Sequence, residues 1–302
     1  MRWLWKDWPQ PVAKGWSSNQ VLGEILIPGQ DWELVGEGYG FTEGTAADAA
    51  GNVYYQDIPA SKTYRVAADG KAVLVNADAK KASGTCFGVD GDRYEVAGEV
   101  KQVIRYGGGS GRPVTSDISG NDLLVMRNGN VYVTSPDGSE RPSRLYLIRA
   151  GSGEKVAVDS GLHFINGLCL SPDQTLLYVA ESASHWIWVY SIRPDGTLYN
   201  KQRYGWLHVP DNQENAWPDG LKCDREGRVY VATRLGIQVM DQLGRVNAIL
   251  PLPSGQASNL CFGGANFDVM YVSCGTKVYR RRLHVRGVNP FEAPVKPPKP
   301  HL

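Results

Sequence analysis

Short apolar runs that alternate with polar residues cover most of the chain, and one arrangement of them returns six times. Each copy starts at a polar residue, passes a small or polar residue into a short apolar run, turns, and enters a second apolar run. The copies are EGTAADAAGNVYYQD from Glu43, SGTCFGVDGDRYEVA from Ser83, NDLLVMRNGNVYVTS from Asn121, NGLCLSPDQTLLYVA from Asn166, DGLKCDREGRVYVAT from Asp219 and SNLCFGGANFDVMYVS from Ser258. Successive starts are 40, 38, 45, 53 and 39 residues apart.

A further alternating stretch follows each copy, such as KTYRVAA after the first and QVIRYGG after the second. Apolar residues recur here at every second position, as in a half-buried strand, and not at the i, i+3 and i+4 positions of a helix. Each unit therefore predicts three or four short antiparallel strands. Periods of about 40–50 residues with four strands each are typical of propeller blades. The sequence thus predicts an all-β, six-bladed β-propeller with four-stranded antiparallel blades.

The two ends of the chain are expected to close this ring. The segment DWELVGEGYGF, residues 31–41, is expected to form an outer strand that completes the last blade, so that N- and C-terminal strands meet there. We assign the propeller to residues 31–288, an N-terminal extension to residues 1–30 and a proline-rich extended tail to residues 289–302. The extension carries Trp3, Trp5, Trp8 and Trp16 and is expected to pack on the outside.

The polar residue that starts each copy should lie at one end of the propeller axis, because the first strand of every blade lines the central channel in the same direction. The predicted ring consists of Glu43, Ser83, Asn121, Asn166, Asp219 and Ser258. Two carboxylates and two amides without a lysine or arginine make an oxygen-only surround that suits Ca²⁺, Mg²⁺ or Mn²⁺. Without a cation, Glu43 and Asp219 would repel each other across the channel.

The charge balance and the cysteine pattern of the chain give no support to several classes of function. The formal charge is +1, from 32 basic and 31 acidic residues, so nothing indicates a nucleic-acid or membrane partner. No C-x-x-C pair occurs among the cysteines, which are expected to be buried, reduced thiols. Charges and prolines stand in the first 16 residues, where a signal peptide needs an apolar stretch, which favours a cytoplasmic protein. A periplasmic or secreted location stays open if a signal segment has been removed.

The chain resembles the gluconolactonase, senescence-marker-protein (regucalcin) and luciferin-regenerating family of six-bladed propellers. The motifs that carry the resemblance are FTEGTA, YYQDIPASKTYRV, NDLLV, FINGLCLSPDQTLLYVAES, WPDGLKCDREGRVYVAT and ASNLCFGG. The resemblance implies one divalent cation (Ca²⁺ favoured, otherwise Mg²⁺, Mn²⁺ or Zn²⁺) held by Glu43, Asn166 and Asp219. It also implies that Asn121 lies near or on the metal and is available to substrate, and that Asp219 acts as general base. The family's usual EGP is EGT here, and the segment from Thr134 departs from its FTDP.

The expected function is that of a metal-dependent hydrolase, in the first place a sugar lactonase acting on a small molecule as a monomer or weak homo-oligomer. Two alternatives stay open: hydrolysis of another ester, organophosphate or sugar-derived substrate, and a non-catalytic Ca²⁺-binding propeller. Three further residues are candidates for substrate binding. His163 either reaches the channel rim or packs in its loop, Glu99 lies where the second blade turns over, and Trp217 precedes Asp219 and could form a pocket wall.

Overall fold

The structure is a computed structural model that describes residues 20–67, 69–108, 110–136 and 142–300. Its strands form six antiparallel sheets of four strands each, arranged as blades in a ring. The predicted six-bladed β-propeller is therefore confirmed. The repeat copies identified in the sequence supply the first and second strands of the blades, and the alternating stretches that follow them supply the third.

The first three blades follow one another along the chain, each built from the inside outwards. Blade one contains β2 (Thr42–Ala47), β3 (Val53–Asp57), β4 (Lys62–Val66) and β5 (Ala72–Asn76); blade two contains β6 (Ala82–Phe87), β7 (Arg93–Ala97), β8 (Gln102–Tyr106) and β9 (Gly111–Thr115). Blade three contains β10 (Leu123–Val125), β11 (Val131–Ser135), β12 (Arg144–Ile148) and β13 (Lys155–Ser160).

The remaining blades complete the ring. Blade four contains β14 (Ile165–Leu170), β15 (Leu176–Glu181), β16 (Trp186–Ile192) and β17 (Leu198–Trp206); blade five contains β18 (Leu221–Cys223), β19 (Val229–Thr233), β20 (Gly236–Met240) and β21 (Val246–Leu250). Blade six contains β22 (Asn259–Gly263), β23 (Val269–Cys274), β24 (Lys277–Arg282) and, from the other end of the chain, β1 (Glu33–Glu37). Because β1 pairs antiparallel with β24, the predicted closure by residues 31–41 is confirmed.

The core lies between the faces of neighbouring blades. The second strands are buried on both faces, as in β19, where all five residues are buried, whereas the outermost strands such as β17 are largely exposed. Apolar clusters fill the spaces between adjacent sheets; the largest spans blades five, six and one. Because both faces of these second strands are buried, their sequences are rich in valine, tyrosine and alanine.

A glycine next to the ring position allows the inner strands to approach closely around the axis. A Cβ at Gly167 would lie 2.4 Å from the carbonyl oxygen of Asp219 and 2.6 Å from the Cα of Gly220. A Cβ at Gly44 would lie 2.0 Å from the carbonyl oxygen of Ser83. These contacts are with backbone, which cannot rotate away, so a side chain would push neighbouring blades apart.

Both ends of the described chain pack on the propeller. Helix α1 (Gln20–Ile25) buries Ile25 in the largest apolar cluster. The tail runs across the channel end opposite the ring, where Gln174 Nε2 donates to the carbonyl oxygens of Pro290 (3.0 Å) and Glu292 (3.1 Å) and the Val295 N–H donates to Pro172 (2.8 Å). Residues 1–19, with the four tryptophans of the predicted extension, lie outside the described residues. Within the described part of the chain, no helix has the length and hydropathy to cross a membrane.

The cysteines are free and buried, which confirms the prediction made for them. The five are Cys86, Cys169, Cys223, Cys261 and Cys274. The first four line an axial cavity between the inner strands and the tail, with an internal volume of about 40 Å³. That is room for one or two water molecules.

Candidate functional site

β-bulges direct the leading residues of three blades towards one mouth of the channel. In β2 the chain advances by three residues from Glu43 to Ala46, while the paired strand β3 advances by only two residues. Strands β6 and β14 contain a bulge of the same kind. An extra residue bends a strand and turns its side chain, a device common next to active sites. The bulge in β14 adjoins Asn166, so Glu43 and Asn166 occupy equivalent places in blades one and four.

Glu43 is buried at this mouth and held by two donors. Its Oε2 accepts from the backbone N–H of Gly44 at 2.7 Å and from the side-chain Nδ2 of Asn259 at 2.8 Å. Burial raises the pKa of Glu43 to about 7, these two donors oppose the rise, and the nearby charge of Asp122 adds to it. The carboxylate therefore sits in a place that disfavours its charge unless a cation is near.

Asp219 is the second buried carboxylate of the mouth and is only 7% exposed. Burial raises its pKa well above the ordinary value, and the charges of Glu43 and Asp122 raise it further. The Asn166 side chain and the Gly220 N–H hydrogen-bond to it and act in the opposite direction. The structure thus brings Glu43, Asn166 and Asp219 together, as the ring prediction required.

A third carboxylate, Asp122, lies in the channel beside these residues and was not among the predicted site residues. It is 3% exposed, and burial raises its pKa while the charge of Lys222 lowers it. The N–H groups of Leu123 and Leu168 face the carboxylate, and Leu123 donates to Oδ1 at 2.8 Å. Its other oxygen, Oδ2, is buried without a hydrogen-bond partner.

The donor set fits a hard divalent cation. Glu43, Asn166 and Asp219 offer only oxygen ligands, which Ca²⁺ and Mg²⁺ prefer. The two acids repel each other where water is excluded, and an orphaned oxygen of Asp122 lies nearby; a dication relieves both. Among the described residues, no group of three or more His, Cys, Asp or Glu side chains is placed to hold a metal. A site of two acids and an amide contains only two residues of those types.

The other predicted ring residues have different surroundings. Asn121 is half-buried; its backbone oxygen accepts from the Gly84 N–H at 2.8 Å and from Ser83 Oγ at 2.5 Å. Ser258 Oγ donates to the carbonyl oxygen of Thr42 at 2.8 Å. The two serine hydroxyls therefore connect neighbouring blades. The ring residues whose side chains remain available to bind a ligand are Glu43, Asn121, Asn166 and Asp219.

Two of the three further candidates lie on the exterior at the mouth end. His163 is exposed, and its backbone N–H donates to Glu181 Oε1 at 2.9 Å. Glu99 is exposed in the turn between β7 and β8, where its N–H donates to the carbonyl oxygen of Lys80 at 3.0 Å. These contacts are made by the backbone N–H groups to a neighbouring segment of the same blade, so the part of both side chains in substrate binding stays a prediction.

Trp217 lines an open cleft of about 510 Å³ together with Asp219, Phe41 and Ser258. Its ring lies 5.6 Å from the ring of Phe164, and the guanidinium of Arg234 lies 5.2 Å from its centroid. Trp217 has a φ of 49°, which is uncommon for a bulky residue. Trp217 lies two residues before the ring residue Asp219. Lys81 and Phe164 lie two residues before the ring residues of their own blades and have similar φ values, 51° and 50°. In three blades, therefore, this backbone conformation leads the chain into the inner strand.

Three residues of the channel were not predicted: Asp122 and Asn259 beside the mouth, and Lys222, which lines the axial cavity. Their signal lies in the aligned repeat. The position after the ring residue is glycine in four copies, and Asp122 and Asn259 are the two exceptions. Three positions after the ring residue, Lys222 is the only charged residue among the six copies.

The comparisons with known proteins agree with this fold. Residues 41–276 match the family described as "SMP-30/Gluconolactonase/LRE-like region". The chain belongs to this family. The matched range contains all six ring residues, and it includes the departures from the family pattern near Thr134.

This SMP-30/gluconolactonase/LRE-like chain is 32% identical over 187 residues to a gluconolactonase of Zymomonas mobilis, covering 56% of this chain and 51% of that protein. It is 29% identical over 128 residues to diisopropyl-fluorophosphatase of Loligo vulgaris, covering 37% and 39%. The chain thus spans about half or less of the length of these relatives. A solved structure of a gluconolactonase from Xanthomonas campestris superposes with a TM-score of 0.77 at 22% identity, covering 87% and 92% of the chains. That likeness concerns the fold.

Proposed function

We propose that this protein is a divalent-cation-dependent hydrolase that opens the ring of a sugar lactone. The observation that carries the proposal is the pair of buried, mutually repelling carboxylates, Glu43 and Asp219, at one channel mouth. A fold has no structural need to place two such acids together, because each lowers the stability of the other's charged form. The similarity to a gluconolactonase of Zymomonas mobilis supports the same reaction class.

Glu43, Asn166 and Asp219 would hold the cation, with Asn121 beside them. Bound there, a dication would polarise the lactone carbonyl and stabilise the charge that develops on its oxygen. The favoured ion is Ca²⁺, since the ligands are all oxygens and no histidine joins them. Asn259 keeps the Glu43 carboxylate in place through its 2.8 Å hydrogen bond.

The remaining residues act on the substrate and on the attacking water. Asp219 accepts a proton from the water as its oxygen bonds to the carbonyl carbon. The ring C–O bond then breaks, and the released alkoxide oxygen takes up a proton, so the product is the open hydroxy acid. Asn121 donates its amide N–H to the substrate, and Trp217 and Phe41 flank the cleft through which the lactone enters.

The test is a panel of γ- and δ-lactones followed with a pH indicator, with chelated protein and with Ca²⁺, Mg²⁺, Mn²⁺ or Zn²⁺ added back. We expect acid release that depends on the cation. Asp219→Asn should abolish turnover and keep the fold, whereas Asp69→Asn, in an exposed turn at the far end of blade one, should leave turnover unchanged. Wild-type rates in Asp219→Asn would remove this residue from the mechanism.

A second candidate, hydrolysis of an organophosphate, has one observation in its favour. The cleft beside Asp219 is flanked by the aromatic rings of Phe41 and Trp217, which offer apolar contact to an alkyl substituent of an organophosphate. The similarity to diisopropyl-fluorophosphatase points the same way. Fluoride release from diisopropyl fluorophosphate, with no acid release from any lactone, would favour this candidate.

A further inference from the structure

The loop that leads Trp217 into the mouth is held at both ends by side chains of blade five. This mouth loop, residues 207–218, joins β17 to β18, and residues 211–214 in its middle are exposed. At its start, Gln238 bonds to both backbone groups of His208. Gln238 Oε1 accepts from the His208 N–H at 2.8 Å, and Gln238 Nε2 donates to the His208 carbonyl oxygen at 2.8 Å. Exposed loops move more than the strands they connect, so such attachments decide where the loop lies.

Arg234 attaches the other end of the mouth loop, next to Trp217. It is half-buried in the turn between β19 and β20. Its Nη1 donates to the Asn215 carbonyl oxygen at 3.2 Å and to Asn215 Oδ1 at 2.8 Å. Its backbone N–H donates to the carbonyl oxygen of Ala216 at 3.1 Å. These hydrogen bonds fix the two residues that precede Trp217.

The Arg234 side chain also packs on the indole of Trp217. Its guanidinium lies 5.2 Å from the ring centroid, a distance at which a cation is attracted to the ring face. Phe164 of blade four contacts the same indole, with the ring centroids 5.6 Å apart. The φ of 49° at Trp217 is a conformation that a bulky residue keeps only when its surroundings enforce it. Contacts from two blades therefore hold the indole in one place.

The position of this indole determines the shape of the cleft beside Asp219. Trp217, Phe41 and Asp219 all line that cleft of about 510 Å³. A substrate whose reacting carbonyl lies at Asp219 would place its more distant atoms against these aromatic residues. Contacts of that kind are equal in the ground state and the transition state, so they lower KM and leave kcat unchanged.

We propose that Arg234 is a positioning residue that holds Trp217 as a fixed wall of the cleft and thereby sets the affinity of the site for its substrate. The inference rests on the proposed function. Arg234 acts through the indole and not on the substrate, since its Nη1 donates to Asn215 and its guanidinium lies against Trp217.

The test is a double-mutant cycle of steady-state kinetics, with the lactone of the panel that wild type hydrolyses fastest. The proteins are wild type, Arg234→Met, Trp217→Ala and the double variant. Arg234→Met should raise KM about tenfold and keep kcat within about twofold, because it loses two hydrogen bonds and the contact with the ring. The double variant should have the KM of Trp217→Ala, because Arg234 has no effect without the indole. Additive increases in KM, or a fall in kcat with KM unchanged, would overturn the proposal.

Two further arginine variants separate this positioning from charge and from general loosening. Arg193→Met is the matched control: Arg193 lies 4.5 Å from the Tyr199 ring and its Nη1 donates to the Leu198 carbonyl oxygen at 2.9 Å, but at the end of blade four opposite the mouth. It should show wild-type kinetics; an equal rise in KM would overturn the proposal. Arg234→Lys keeps the charge but lacks the planar fork that reaches Asn215 while lying on the indole, so KM should stay raised at least about threefold. A wild-type KM in Arg234→Lys would show that charge alone suffices, which contradicts the proposal. Should Arg234→Met fail to fold, Arg234→Lys takes its place in the cycle.

A measurement without substrate distinguishes failure of this inference from failure of the proposed function. The chain has nine tryptophans, so in protein labelled with 5-fluorotryptophan the Trp217 resonance is assigned from its loss in Trp217→Phe. In Arg234→Met this fluorine resonance should shift and gain sensitivity to exchange of H₂O for D₂O, while the other resonances stay in place. An unmoved Trp217 resonance would overturn the proposal. If wild type hydrolyses no lactone, the proposed function is wrong, and the fluorine spectrum still decides whether Arg234 positions Trp217.

Discussion

Replacing Asn259 by alanine tests whether a residue outside the ligand set holds the cation site together. Asn259 is 2% exposed, and its Nδ2 donates to Glu43 Oε2 at 2.8 Å. Its Oδ1 is occupied by the Leu260 N–H at 2.8 Å and by Thr45 Oγ1 at 3.3 Å, so the amide has a fixed orientation. Glu43 would lose one of its two donors in the variant and would be free to turn away from the site.

The expected loss follows from that one hydrogen bond. A bond to a charged group contributes about 1.5–3 kcal/mol, which corresponds to about 10–150-fold in a binding constant. Removing a residue that orients a metal ligand typically lowers metal affinity by about 10–100-fold. We therefore expect Asn259→Ala to bind Ca²⁺ about 10–100-fold more weakly than wild type, with one cation still bound per chain.

The assay is calorimetric titration of chelated protein, with Thr45→Val as the matched control. That control removes only the 3.3 Å bond to the Asn259 oxygen and leaves the bond to Glu43 intact, so its affinity should stay within about threefold of wild type. An unchanged affinity in Asn259→Ala would refute the reasoning, because Glu43 would then need no orienting partner. Equal losses in both variants would show that general loosening of the mouth is responsible.

Three further outcomes test the fold around the site. Gly167→Ala should lower stability by about 1–3 kcal/mol through backbone contact with blade five, whereas Gly23→Ala, with open space around it, should not; denaturant unfolding measures both. Burial raises the pKa of Asp224 to about 6, so this group should contribute a fall in stability of about 3 kcal/mol as the pH rises from about 4 to 6, and Asp224→Asn should show a fall smaller by that amount in thermal unfolding measured across this range. Ending the chain at Val288 should make the thiols of the axial cavity react with a thiol reagent in the folded state; unchanged protection would show that the tail does not cover them.

The fold was predictable because its signal is local and repeated. Alternation with a period of two identifies a strand from five or six residues, and six copies at similar spacing identify a propeller without knowledge of any single contact. The same alignment placed Glu43, Asn166 and Asp219 at one level of the axis, since equivalent positions of a ring must meet. Closure by residues 31–41 followed from the incomplete last blade.

The features of the site that the sequence did not predict depend on contacts between blades, and the repeat pattern carries no information about those contacts. Ser83 and Ser258 occupy the ring position, but their hydroxyls donate to neighbouring backbone, so position alone did not show which polar residues face the axis. Asp122 stands at a position that glycine fills in four copies, and its significance depends on how closely the next strand approaches. The tail is held through its own carbonyl groups by Gln174, and backbone acceptors are present in every sequence.

The glycines beside the ring connect the architecture with the proposed chemistry. A Cβ at Gly44 or Gly167 would come within 2.0–2.4 Å of a neighbouring backbone oxygen, so the inner strands are as close as backbone allows. The same approach forces the leading carboxylates of blades one and five into one water-poor space, where the charge of Glu43 raises the pKa of Asp219. A propeller with larger residues at these positions would have a wider, wetter mouth, in which two acids could ionise independently and would bind a dication weakly. Close packing of the axis and the proposed cation site therefore have one origin in this sequence.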